Sequence, residues 1–162
     1  MITASGIAAR IPNPPILMQT IDHSIEVLDA LLRGEISAIE TYSHAIHKFP
    51  GSTAESDLQD MRSDHLDSVE TLRELITDLG GNPSTDSGPW GGFAKTVENV
   101  AALFGDSSAM AALQQGEEHG VSEYEEALED KSIDAEIKEV IRDELLPPLR
   151  EHIATLQSLT ES

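Results

Sequence analysis

Apolar residues recur at every third or fourth position through nearly the whole chain, and no segment alternates with the period of two that a strand requires. A sequence patterned this way is held to helices packed on one another. Proline and glycine divide it. Pro14 and Pro15 open the first stretch, which runs from about Ile16 to Phe49 and stops at Pro50-Gly51. Ser52-Thr53-Ala54-Glu55 has the form of a capping box, and a second helix runs from it to Leu79, before Gly80-Gly81. Residues 80–92 are rich in Gly, Pro and Ser and read as loop. Phe93 to Phe104 reads as a short helix ended by Gly105. Asp106 or Ser107 caps a third long helix to about Glu129, and a fourth runs from about Asp134 to Leu159. Pro147-Pro148 falls inside the fourth, and two missing N–H groups predict a distortion one turn before His152.

Four long helices, each of more than about 20 residues and so longer than about 30 Å, predict an all-α bundle. Short turns join the first to the second and the third to the fourth, so each pair reads as an antiparallel hairpin. The expected organisation is an N-terminal extension (1–15) and one domain (16–162). That domain divides into a hairpin over 16–79, a crossover over 80–106 and a hairpin over 107–160. The crossover is long enough to travel the length of the bundle.

Each long helix carries one inward row, and each row is interrupted once. The first reads Ile21, Ile25, Leu28, Leu32, Glu35, Ile39, Tyr42, Ile46. The second reads Leu58, Met61, His65, Ser68, Leu72, Leu75, Leu79. The third reads Met110, Leu113, Glu117, Val121, Tyr124, Leu128, and the fourth Ile137, Ile141, Leu145, Pro148, His152, Leu156, Leu159. A lone His or Glu in such a row is most often a satisfied polar group. Here the interruptions run Glu35, His65, Glu117, His152, all near mid-helix. A buried carboxylate is costly without a partner, and carboxylate oxygen with imidazole nitrogen is a ligand set for a divalent cation.

The two hairpins also resemble each other. Gly34-Glu35 with Tyr42 matches Gly116-Glu117 with Tyr124, and Asp64-His65-Leu66 matches Glu151-His152-Ile153. This duplication predicts a pseudo-two-fold axis with the Glu and His pairs meeting near it. Gly34 and Gly116 each cost about 1 kcal/mol of helix propensity against Ala, which close helix approach beside the glutamates would explain.

Composition narrows the partners. A net charge of -20, from 30 acidic and 10 basic residues, argues against nucleic acid and against an anionic membrane surface. No cysteine is present, which removes disulfides and Cys-ligated metal. No apolar run approaches the roughly 18 residues of a membrane span, and the first ten residues lack the form of a secretory signal, so a cytoplasmic location is expected.

Taken together, these residues resemble the ferritin-like superfamily, especially its rubrerythrin-related bundles, and more closely a bacterial family of uncharacterised ferritin-like domains. Gly34-Glu35 with Tyr42, His65 followed by Leu79-Gly80-Gly81, and Gly116-Glu117 with Tyr124 carry the likeness, over about residues 20–160. The resemblance implies a ferritin-like four-helix bundle. The di-iron pattern has one Glu on each of two helices and Glu-x-x-His on the other two. Glu35, His65, Glu117 and His152 match four of those six positions. Arg62 and Leu149 stand where the two bridging carboxylates belong. A redox role is implied by the resemblance alone, and the missing carboxylates argue against it.

Two readings follow. Glu35, His65, Glu117 and His152 hold a single Zn, Fe or Mn ion in a charge-balanced shell of two oxygens and two nitrogens. Alternatively the site is vestigial and metal-free, its glutamates paired with protonated histidines or Arg62, in a structural or partner-binding bundle such as a homodimer. Tyr42 and Tyr124 are expected to pack in the core. His23, His44, His47 and His119 are expected at the surface, the acidic run Glu118, Glu123, Glu125, Glu126 on a solvated face, and Trp90 over a bundle end.

Overall fold

A computed structural model describes residues 12–51 and 53–161. The described residues are helical and contain no strand. Helix α1 spans Pro14–Lys48, α2 Thr53–Asp78, α3 Phe93–Phe104 and α4 Asp106–Glu129. Helix α5, Ala135–Val140, continues through a π-helical turn, Ile141–Leu145, into α6, Leu146–Thr160. Among the described residues, no helix is long and apolar enough to cross a membrane.

The helix ends follow local chemistry. Pro14 and Pro15 occupy the first turn of α1, where a missing N–H costs nothing. Ser52 of the expected capping box lies outside the described residues; Glu55 accepts a hydrogen bond from the Gly51 N–H. Helix α2 closes with Gly80 at φ 83, and the N–H groups of Gly80 and Gly81 donate to Thr77 O and Ile76 O, both at 2.9 Å. That pairing is a Schellman motif, which requires a left-handed residue at its turn. At the start of α4 the expectation is corrected. Gly105, at φ 90, holds the N-cap position, and Asp106 is already the first helical residue.

The paired prolines distort their helix as expected. Pro147 and Pro148 would leave the carbonyls of Asp143 and Glu144 without their usual donors. The chain widens instead into the π turn, where the Leu146 N–H donates to Ile141 O, five residues back. One consequence is that Leu145 and Leu146, neighbours in sequence, are both buried.

Two apolar clusters form the core. One gathers Leu28, Leu32, Leu72, Ile76, Tyr124, Ile141 and Leu145. The other gathers Tyr42, Leu58, Met61, Met110, Leu113 and Leu156. Helix α1 and the α5–α6 helix run from the first cluster to the second, whereas α2 and α4 run from the second to the first. Helix α1 packs along α2, α4 along α6, and α3 lies against both α1 and α4. Since α2 and α4 share a direction, the segment between them must return along the molecule.

That return path is pinned to one stripe of α1. Asp29 accepts from the Ser84 N–H and hydroxyl at 2.8 and 2.6 Å. Arg33 reaches Asp86 at 2.7 Å, the Ser37 hydroxyl donates to Trp90 O at 3.0 Å, and the Ser87 hydroxyl donates to Glu40 at 2.9 Å. Trp90 therefore does not cover a bundle end. It lies beside mid-α1 and against His119, with ring centroids 4.8 Å apart. The loop is held there by its backbone carbonyl, a feature that side-chain patterning does not reveal.

Candidate metal centre

On every long helix the polar interruption falls in the gap between the two apolar clusters. Glu35, His65, Glu117 and His152 are all buried, each with 3–4 % of its surface exposed. They form one hydrogen-bonded layer. His65 Nδ1 meets Glu35 Oε2 at 2.5 Å, and His65 Nε2 meets Glu117 Oε1 at 3.0 Å. His152 Nδ1 faces the same Glu117 Oε1 at 3.2 Å, while its Nε2 faces Asp64 Oδ2 at 3.0 Å. The two imidazoles lie edge to face with centroids 5.1 Å apart.

The tyrosines do more than pack. The Tyr42 hydroxyl donates to Glu117 Oε1 at 2.5 Å, and the Tyr124 hydroxyl donates to Glu35 Oε1 at 2.6 Å. Each hairpin thus lends its tyrosine to the other hairpin's glutamate, as the duplication requires. Burial, with the adjoining carboxylates, pushes both phenols well above their ordinary pKa of 10.0 and keeps them as donors.

Electrostatics make the layer self-consistent. Burial alone would lower the His65 imidazolium, but Glu35 and Glu117 outweigh it and hold its pKa up to about 10. Burial works against the Glu117 carboxylate, yet His65 and His152 hold it down at about 2. An unpaired buried ion would cost several kcal/mol, so these groups persist only as a set. No buried side-chain nitrogen or oxygen among the described residues lacks a hydrogen-bond partner. Arg62 is not the neutralising cation: its Nε turns back to α1 and donates to Ser43 Oγ at 2.7 Å. Leu149 is buried at the other position that lacks a carboxylate.

His65, Glu117 and His152 form a buried group able to hold a metal ion, their ligand atoms lying within 4.8 Å of one another. Glu35 is not part of that trio, because the His65 ring stands between it and the common point. Asp64, which holds the far nitrogen of His152, is absent from the inward rows. It is half exposed. The sequence signal was present in the acid that precedes the histidine in both repeats, Asp64-His65 and Glu151-His152.

A cavity of about 300 Å³ opens beside the layer, between α1 and α4 and bordered by Trp90 and Phe93 of the crossover. The glycines explain how the crossover comes so near. A Cβ on Gly116 would stand 2.8 Å from the Phe93 ring, so any other residue there would force the ring to shift. At Gly34 the nearest atom is Glu123 Oε2 at 3.4 Å, an ordinary contact, and the close approach expected there is absent. Glu123 departs from the solvated acidic face: it is half-buried, and burial raises its carboxyl pKa.

Comparisons with curated proteins and with solved structures return no match. A family model described as a domain of unknown function, DUF2383, matches residues 23–130, a span that holds α2 and α4 with three of the four buried polar residues and most of α1, and the chain belongs to that family.

Proposed function

We propose that this chain is a ferritin-like four-helix bundle that holds one divalent transition-metal ion, Zn, Fe or Mn, at its centre. The ligands are His65 Nε2, His152 Nδ1 and a Glu117 oxygen. Glu35 and Asp64 orient the imidazoles. One observation carries the reading. Each histidine turns one nitrogen to Glu117, at 3.0 and 3.2 Å, and the other to a further carboxylate. Tetrahedral coordination at bond lengths of about 2.0–2.1 Å separates neighbouring ligand atoms by about 3.3 Å, close to those spacings. A carboxylate on the far nitrogen is the usual support of a ligating histidine, fixing its tautomer and ring plane.

Three protein ligands leave a coordination position open, and a bound ion would act there as a Lewis acid or redox centre. The ferritin-like assignment rests on the helix directions, up-down-down-up, with a crossover that retraces the bundle along α1. The alternative is a metal-free ionic layer in a structural bundle. It is favoured by one observation, that His65 already satisfies both its nitrogens with carboxylates.

Elemental analysis separates the two. Protein purified without chelator should carry about one equivalent of metal, lost in Glu117→Ala and His152→Ala and diminished in Glu35→Gln. Metal-free protein that takes up no added Zn, Fe or Mn would sink the metal reading.

A further inference from the structure

We propose that the cavity beside the Glu/His layer binds a small apolar cation, a primary amine on a compact hydrocarbon or aromatic body. Its volume of about 300 Å³ is at the low end for ligand pockets. Leu31, Ala38, Trp90, Phe93, Leu113 and Leu149 supply apolar walls. Phe93 and Leu149 rest on bare glycine faces, at 2.8 Å from a Cβ on Gly116 and 3.0 Å from one on Gly120. The boundary is therefore close-packed while the interior is open.

The polar groups of the lining select the charge. Its fully buried donors are spent. The Tyr42 and Tyr124 hydroxyls and both His65 nitrogens serve the site carboxylates. The Ser37 and Thr41 hydroxyls serve backbone carbonyls. What stays open is acceptor capacity. The three hydrogen bonds to Glu117 all fall on Oε1. Because no buried polar side-chain atom lacks a partner among the described residues, Glu117 Oε2 must border open space. Glu123 is the second acceptor. Its Oε1 has only His119 at 3.4 Å, and its Oε2 points at the bare face of Gly34.

A cation placed between these carboxylates gains charge pairing in a poorly hydrated space, and the Trp90 and Phe93 rings favour it further. An anion would meet two carboxylates, and the donors left to it are on Trp90, Gln115 and His119, side chains that reach solvent. A hydrated inorganic ion would match the acids but not the walls. Binding of this cation requires no metal in the layer.

The test uses the full chain in EDTA, with benzylammonium, toluene and benzoate as probes. Trp90, the single tryptophan, lines the cavity and reports occupancy by its fluorescence. Benzylammonium should bind saturably, and toluene and benzoate at least about tenfold more weakly. Ala38→Phe should abolish binding by filling the cavity. Glu123→Gln, at a half-buried position, should weaken benzylammonium about tenfold and leave toluene unchanged. If Ala38→Phe loses its helical circular dichroism, Glu123→Gln decides alone. No saturable binding, benzoate or toluene equal to benzylammonium, or benzylammonium indifferent to Glu123→Gln would each overturn the proposal. Zinc uptake measured on separate chelator-free samples shows whether the metal reading stands or falls independently.

Discussion

A metal ion bound through His65 would have to expel a proton, and the electrostatics of the layer set the size of the effect. His65 is the perturbed group. In the metal-free layer its pKa is held up to about 10 by Glu35 and Glu117. At pH 7.5 only about one ring in 300 is neutral, so freeing Nε2 for a metal costs roughly 3 kcal/mol. Apparent zinc affinity should therefore rise about tenfold per pH unit between pH 7 and 9. Competition with a chromophoric chelator across that range measures the slope. Calorimetry in two buffers of different ionisation enthalpy counts the protons, and at least one should leave per zinc bound. Glu35→Gln removes the carboxylate on Nδ1 and should act in two opposed ways. The pH slope flattens, because His65 loses the largest contributor to its raised pKa. Affinity still falls about 10–100-fold at high pH, because the ring is no longer oriented. Zinc uptake with no proton release, or with a slope that Glu35→Gln leaves unchanged, would refute His65 Nε2 as a ligand.

Three further outcomes follow from the same geometry. In EDTA, His65 contributes stability that is full below its unfolded pKa of 6.5 and fades as pH rises through about 10. Glu117 contributes stability that is full above 4.5 and fades as pH falls through about 2. The melting-temperature difference between the native chain and a His65→Leu/Glu117→Leu double variant should thus be flat from pH 4.5 to 6.5 and turn against the native chain on either side; the comparison cancels titration of the acidic surface. Tyr42→Phe and Tyr124→Phe each remove a donor to a buried carboxylate and should cost about 1.5–3 kcal/mol in urea unfolding, whereas neutral substitutions would mean the hydroxyls carry no load. Gly34→Ala meets only a 3.4 Å contact and should stabilise by up to about 1 kcal/mol of helix propensity. Gly116→Ala drives a Cβ to 2.8 Å from the Phe93 ring and should be at least about 1 kcal/mol less stable than Gly34→Ala; equal stabilities would show that α3 yields freely.

The helices and the buried polar layer were legible because both obey the same period. Glu35, His65, Glu117 and His152 stand in step with Leu28, Leu72, Leu113 and Leu156, so a row that predicts the core also predicts what lies in it. Gly80-Gly81 and Pro147-Pro148 announced their turns for equally local reasons. What escaped depends on contacts between distant segments. Asp64 lies one residue off the inward row yet reaches His152, 88 positions away. Trp90 is placed by a Ser37 hydroxyl bonding its carbonyl, and Arg62 by Ser43. Neither partner is implied by helical spacing. The inward rows place both tyrosines in the core, where they lie, but a stripe gives a residue's depth and not the direction of its hydroxyl.

The duplication explains both the symmetry of the layer and its failure. Tyr42 on Glu117 and Tyr124 on Glu35 are reciprocal, and each histidine meets the glutamate of its own hairpin. Full symmetry would have each histidine also meet the opposite glutamate. His65 does so, through Glu117; His152 takes Asp64 instead of Glu35. The repeats differ just before these histidines, since Pro147-Pro148 stand where the first hairpin has Asp60-Met61. Only the second hairpin carries a π turn there, and it changes the register of the helix that presents His152. The result is an uneven division of labour. Glu117 gathers both imidazoles and a phenol on one oxygen, while Glu35 spends its two oxygens on one imidazole and one phenol. A symmetric four-residue shell would have made the glutamates interchangeable. This one makes Glu117 the common point and Glu35 its support, so exchanging either for Gln should have visibly different consequences: loss of metal at Glu117, and weakened but measurable binding at Glu35.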